Sequence, residues 1–309
     1  RTAMAWAGEH GEVTTGLLLG GALWRFWQIR GHLREGGVRL EKVLALPAAT
    51  EHPEAMAKAL EAAGGVFYWM AEWEKAKRYY SECLELRRNL EDRAGLAEAL
   101  YNLSFIYSIP PPPQRDVERG RKLLEEAAEL YREMGDERGE AKVLWAIAST
   151  HEVSMEWQSS LDNADRALEL FRKVDDRFGA GWALHSLGLA ALGLADYERG
   201  RSALTEALDL FAAAGDLTGI ALVVNDLSLL EMLETDHERA TRLRGAALKI
   251  ERLSGGGLVT NYDAYLPWKI EETLRAELTD SVYERLLAEG DSMSVDKAVA
   301  YALRSDGAS

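Results

Sequence analysis

The sequence predicts an all-α fold, a right-handed superhelical solenoid of about six helix hairpins followed by a C-terminal helical extension. Three observations predict it. The segments EDRAG (91–95), GDERG (135–139), DDRFG (175–179) and GDLTG (215–219) repeat an Asp and a Gly at steps of 44, 40 and 40 residues. Apolar positions keep these steps, with Leu46, Leu86, Leu130, Leu170, Leu210 and Ile250 in one column. Small residues form two further columns: Gly36, Ala76, Gly120, Ser160, Gly200 and Ala240, then Gly64, Ser104, Ala148, Gly188 and Ser228. A small residue recurring at one point of the register marks a close crossing of two helices, because a larger side chain would push the axes apart. A fixed period of this length is the mark of stacked repeats, in which each hairpin covers the apolar face of its neighbour.

Within a period the apolar spacing is helical, as in Leu161, Ala164, Ala167, Leu168 and Phe171, and no segment alternates as a strand would. Each period therefore holds two antiparallel helices, A and B. The first hairpin, 12–46, carries Trp24 where later ones have a small residue, as a terminal cap does. The second covers 54–90. The third, 93–134, contains the run Pro110–Pro113 and the one step of 44, so four residues are inserted in its A-to-B turn and every column is restored after them. Proline cannot continue helix A, and four together favour a stiff extended turn, although Pro110 and Pro113 also have the PxxP spacing. The fourth, fifth and sixth hairpins cover 137–174, 177–214 and 217–253. Gly135 and Gly215 suit the left-handed position that ends helix B, and the Asp that follows each of these turns can cap the next helix A.

SGGG (254–257) ends the last helix B. Beyond it, Tyr262 to Leu278 and Ser281 to Leu287 read as helices around Pro267, and Ser294 as the N-cap of a last helix, Val295–Arg304. The domain plan is thus a repeat array over 1–253 and capping helices over 254–309, which cover the open end of the array or dock a downstream domain.

Charge and chemistry exclude several functions. Lys and Arg number 36 against 51 Asp and Glu, a net −15, and a general binder of phosphate backbones needs the opposite sign. The single Cys83 allows no disulfide framework and fits a reducing, cytoplasmic setting. Gly16–Trp27 is too short, and holds Arg25, for a membrane span. The six histidines are dispersed, neither His151-Glu152 nor His237-Glu238 completes HExxH, and GxSxG, GxGxxG and phosphate-loop motifs are absent. The expectation is a non-enzymatic chain with no catalytic residues, no metal and no cofactor.

The columns resemble tetratricopeptide repeats in a lengthened form. Leu187, Gly188, Tyr197, Gly200 and Ala207 carry that pattern, with Trp73 and Trp157 in the register of Tyr197. The ends, ALWRFWQIRGHLREGGVRLEKVLAL (22–46), RLRGAALKI (242–250) and LLAEGDSMSVDKAVAYAL (286–303), resemble the C-terminal region of actinobacterial regulators that join a STAND-type (NB-ARC) ATPase module to such repeats, with a LuxR-type or nucleotide-cyclase domain attached. That resemblance implies a sensing arm of a signal-transduction or transcription regulator: a partner protein or small-molecule inducer held in the groove, an ATPase N-terminal to it, and no nucleic acid or membrane bound by these residues. A self-standing adaptor that recognises peptide segments is the alternative.

In such arrays helix A lines the concave wall, and the register carries Tyr68, Trp69, Tyr101, Trp145, Trp182, His185 and Asn225 onto it, with Glu61, Glu98, Lys142, Phe105, Ser149 and Glu152 nearby and Arg25 and Gln28 closing the first repeat. Aromatic residues and histidine offer flat apolar area with a polar edge at little entropic cost, which suits a binding surface. The same side chains can instead pack between hairpins. As a column, Tyr101, Trp145 and His185 favour the groove, because a core column here would be aliphatic or small.

Overall fold

Many of the helices end where the sequence places a residue that can leave the helical region or satisfy their orphaned backbone groups. The computed structural model of the chain describes residues 2–304, in which helices follow one another in antiparallel pairs and no strand occurs among the described residues. After α1 (Thr2–Glu9) come the pairs α2 (Val13–Ile29) and α3 (Leu33–Leu44), α4 (Pro53–Trp69) and α5 (Trp73–Asn89), and α6 (Arg93–Ser108) and α7 (Val117–Met134). Then follow α8 (Glu137–Val153) and α9 (Trp157–Lys173), α10 (Arg177–Gly193) and α11 (Tyr197–Ala214), and α12 (Leu217–Leu233) and α13 (His237–Ser254). These are the six expected hairpins, with no end displaced by more than two residues. The helix α1 was not foreseen.

The last three B-to-A turns between hairpins are closed alike. Asp136, Asp176 and Asp216 donate their backbone N–H to the carbonyls of Tyr131, Phe171 and Phe211 at 2.8–2.9 Å. The side chains of Asp92, Asp136, Asp176 and Asp216 accept from the N–H of Gly95, Gly139, Gly179 and Gly219, capping the following helix A. Gly135 and Gly215 take φ +66°, as expected, while Glu91 and Asp175 occupy the same turn position at φ +53° and +52° without the freedom of glycine. The A-to-B turns repeat the arrangement, with Asp116, Asp196 and Asp236 accepting from the N–H of Arg119, Arg199 and Arg239.

The proline insertion is looped out of an otherwise unchanged turn. In the fifth hairpin Asp196 N–H reaches Ala191 O at 2.9 Å; in the third Asp116 N–H makes the corresponding bond to Tyr107 O at 2.7 Å, four residues further back. Arg115 fastens the loop by donating to Pro110 O at 2.9 Å. The small-residue columns are crossings between A and B: a Cβ on Gly188 or Gly200 would lie 3.4 Å from the other's carbonyl oxygen, and Ser228 Oγ donates to Ala240 O at 2.7 Å.

The helices gather into two compact units, residues 1–146 and 147–309, so the division falls within α8. The second unit includes the end segment. Its expected helix over 262–278 is two, α14 (Tyr262–Tyr265) and α15 (Ile270–Glu277), because Leu266 before Pro267 is extended. Then come α16 (Asp280–Ser292), longer than expected, and α17 (Val295–Ala302), whose N-cap Ser294 accepts from Lys297 N–H at 3.3 Å. The expected capping region runs on to 309, and its residues 305–309 lie outside the described ones.

The end segment packs on the last hairpin. A Cβ on Gly290 of α16 would collide with the Arg242 carbonyl of α13, and one on Gly245 of α13 with the Leu287 carbonyl of α16, so the two backbones touch. Arg239 on α13 donates to the carbonyls of Tyr301 and Ala302 at 2.9 and 3.3 Å, satisfying the end of α17. Among the described residues no helix is long and apolar enough to cross a membrane.

Candidate functional site

In the first unit the A helices α4, α6 and α8 bring one aromatic from each into contact. Tyr68, on the last turn of α4, lies 5.6 Å from Trp69 and 5.9 Å from Phe105 of α6, both edge-on. Phe105 is 5.3 Å from Tyr101 on its own helix and 5.3 Å from Trp145 of α8. Helical spacing produces this: Tyr101 and Phe105 are one turn apart, and the 40- and 44-residue steps place Trp145 in the register of Tyr101. Trp69 and Tyr101 are buried and brace the row, whereas Tyr68, Phe105 and Trp145 are half-buried and present part of their rings.

Charged groups of both signs edge the row. Lys142 sits 4.4 Å over the Tyr101 ring and pairs with Glu98, which also accepts from the Tyr131 hydroxyl at 2.9 Å. Burial alone would raise the Glu98 carboxyl; the charge and hydrogen bond of Lys142, with that of Tyr131, overcome it and hold the group below its usual value. Glu61 is 3.7 Å from Arg87, whose guanidinium is also engaged by Asp92. Burial, and then repulsion from Glu98, push the Glu61 carboxyl up to about 7, against the pull of Arg87, Lys142 and Arg25. Arg25 lies 3.8 Å over the Trp24 ring and donates to the buried Gln28 at 3.1 Å. The wall thus offers flat apolar area, a fixed ion pair and a carboxyl that exchanges its proton near neutrality.

The second unit treats its share of the register differently. Trp182 is buried, 4.7 Å from Phe211, and packs in the core. His185 Nε2 lies 2.8 Å from Asp226 Oδ2, and the Tyr262 hydroxyl donates to Asp226 Oδ1 at 2.5 Å. Burial works against the charged imidazole, but Asp226 outweighs it and raises His185 above its ordinary value. Glu152, buried beside this network with Ser160 Oγ at 3.5 Å, is pushed up to about 7 by burial, against the pull of His185 and Ser186. Asn225 has no exposed surface: it accepts from Arg244, which also donates to Val259 O at 3.3 Å, so the segment entering α14 closes over it.

The structure therefore gathers Tyr68, Trp69, Tyr101 and Trp145, with Phe105, in one unit. In the other it places Trp182 and Asn225 where they have almost no surface to offer a ligand, and His185 in a buried ion pair. The Asp226–Tyr262 contact was missed by sequence reasoning. Its signal was a lone acid inside the apolar run LVVNDLSLL (222–230), since a charge so buried requires partners. Among the described residues no three His, Cys, Asp or Glu come together as metal ligands.

No protein-family model matches the sequence, and no curated protein matches it. Solved structures do resemble the fold. A Rap protein, crystallised in complex with competence and sporulation factor, aligns with 90% of this chain and 89% of its own at a TM-score of 0.58 and 13% identity. BtubC from P. vanneervenii aligns with 71% of this chain and 91% of its own at 0.50 and 16% identity. A putative kinesin light chain of nearly identical TPR-like repeats aligns more loosely, at 0.43 and 15% identity over 63% of this chain and 94% of its own. At these identities the likeness is one of fold: consecutively paired helices of the TPR-like class.

Proposed function

We propose that the chain is a protein-interaction module whose ligand lies along the A-helix wall of the first unit. The observation that carries this reading is the row Tyr68–Phe105–Trp145, half-buried across the three A helices α4, α6 and α8 and edged by Glu61, Glu98 and Lys142. Aromatic side chains that keep exposed surface in a row between fixed charges suit an extended segment with apolar and polar side chains. The Rap structure supports it as a precedent, since that fold was crystallised with a bound factor.

The finer reading is a sensing arm of a larger STAND-type ATPase regulator, with a partner segment or an inducer in the wall and no catalysis in these residues. A ligand that prefers one curvature of the repeats biases an attached domain by no more than its differential affinity for the two curvatures. Its support is the sequence resemblance of the two ends, and it is checked by reading the coding sequence ahead of residue 1 for a phosphate-loop motif.

The wall itself is tested by selecting peptides from a displayed library on the immobilised protein. Selected peptides are expected to lose tenfold or more in affinity for Trp145→Ala and Phe105→Ala variants that melt as the parent does. Peptides whose affinity neither substitution changes would place the site elsewhere.

A further inference from the structure

The first hairpin and the helix before it leave open two positions that every later hairpin covers. Phe26 on α2 is 51% exposed, whereas Val66, Ile106, Thr150, Ala190 and Leu230, which hold its register position in the five later hairpins, are 3% exposed or less. The direction of this face follows from the next repeat. Lys58 and Gly65 of α4 abut Gly21 and Trp24 of α2, while Val66 meets Gly37 of α3, so the side of α4 carrying Lys58, Ala62 and Val66 lies against both helices of the preceding hairpin. Forty residues earlier that side reads Leu18, Ala22 and Phe26, all exposed.

A second column, on another helix, tells the same story. Ala3 on α1 is exposed, while Val43, Cys83, Ala127, Ala167, Ala207 and Ala247 in its register are 4% exposed or less. Val43 packs on Gly16 of α2 and Cys83 Sγ reaches Ala57 O of α4 at 3.4 Å, each towards the helix A of its own hairpin. The turn after α1 is also a B-to-A turn: Glu12 N–H donates to Ala7 O at 2.9 Å, as Asp216 does to Phe211, and Gly11 at φ +72° stands in the register of Glu91, Gly135, Asp175 and Gly215.

The geometry points to one occupant: the face formed by Ala3, Leu18, Ala22 and Phe26 seats one further hairpin of the same repeat, an A-register helix and the helix B that α1 completes. Such a helix A lies antiparallel to α1 and parallel to α2, between Ala3 and Leu18, and the B helix it pairs with, continued ahead of α1, meets Phe26 as α3 meets Val66. Its chemistry is set by the register, with small residues where it crosses Ala3 and an apolar stripe against Leu18 and Ala22.

The test uses the whole chain, lengthened in register. A copy of Arg177–Thr205 placed ahead of Thr2 supplies a helix A and the first half of a helix B that runs on into α1; a copy of Glu137–Asp165 from the fourth hairpin is a second, independent graft. At least one graft is expected to raise the melting midpoint by about 3 °C or more and to slow amide exchange in α1 tenfold. Phe26→Asp is expected to erase that gain while changing the unlengthened chain little. No rise with either graft, or a rise that survives Phe26→Asp, would overturn the proposal. So would sedimentation of the unlengthened chain as a dimer that Phe26→Asp splits, because a second copy would then be the occupant.

Discussion

Glu152 and His185 tie the stability of the second unit to pH. Glu152 rises from the usual 4.5 to about 7 in the folded chain, so the folded state holds its proton more tightly than the unfolded one. The stability this confers is fully present below the unfolded value and is lost as pH rises through about 7. His185, raised above 6.5 by Asp226, adds stability that is present below 6.5 and is likewise lost as pH rises through its folded value; Glu61 in the first unit acts as Glu152 does. The melting midpoint is therefore expected to fall between pH 5 and pH 8, each carboxyl contributing on the order of 1–3 kcal/mol. Glu152→Gln, which keeps the shape without the charge, should flatten the profile, and a variant slope equal to the parent's would remove Glu152 as the cause. The aromatic row of the first unit was legible in sequence because its members are conspicuous at one register point. The Glu152–His185–Asp226–Tyr262 network was not, because its four members lie on three repeats and an aperiodic segment.

The turns make their own demands at the level of single elements. Ala195, between α10 and α11, holds φ +60°, a conformation that costs an L-residue about 1 kcal/mol and glycine almost nothing. Ala195→Gly should stabilise the chain by about 0.5–1 kcal/mol and Gly215→Ala destabilise it by about 1 kcal/mol, both read from denaturant midpoints. The crossing of α13 and α16 is stricter, since backbone meets backbone at Gly245 and Gly290. Gly290→Ala should push α16 away, lower the stability by about 2 kcal/mol, and speed amide exchange in α16 and α17 before the repeats themselves loosen. Uniform exchange across the second unit would show instead that the end segment and α12–α13 open together. The twelve hairpin helices were readable because each period restates the same spacing, cap and turn, and the proline loop left the register intact because the Asp116–Tyr107 bond closes around it. Helix α1 is not legible in the same way because it holds only eight residues of a period. The docking of the end segment escaped because nothing periodic announces which helix Gly290 will meet.

At the scale of the molecule, one repeat pattern supports two local outcomes. Where Glu98, Lys142 and Glu61 flank Tyr68, Phe105 and Trp145, the A-helix wall keeps exposed aromatic surface; where Arg244 ties Val259 to Asn225 and Tyr262 bonds Asp226, the chain has filled its own wall. A repeat array gains stability from each neighbour contact, so covering one stretch of wall strengthens that unit while an uncovered stretch remains available to a partner. The same periodicity that made the fold legible could not say which stretch is covered, since that depends on where an aperiodic segment returns. Hydroxyl-radical footprinting of the chain with and without a library-selected peptide tests the open wall directly. Protection is expected at Tyr68, Phe105 and Trp145, with Tyr262 and the outward residues of α7 and α9 unchanged. Protection confined to Tyr262, or to the B helices, would contradict it.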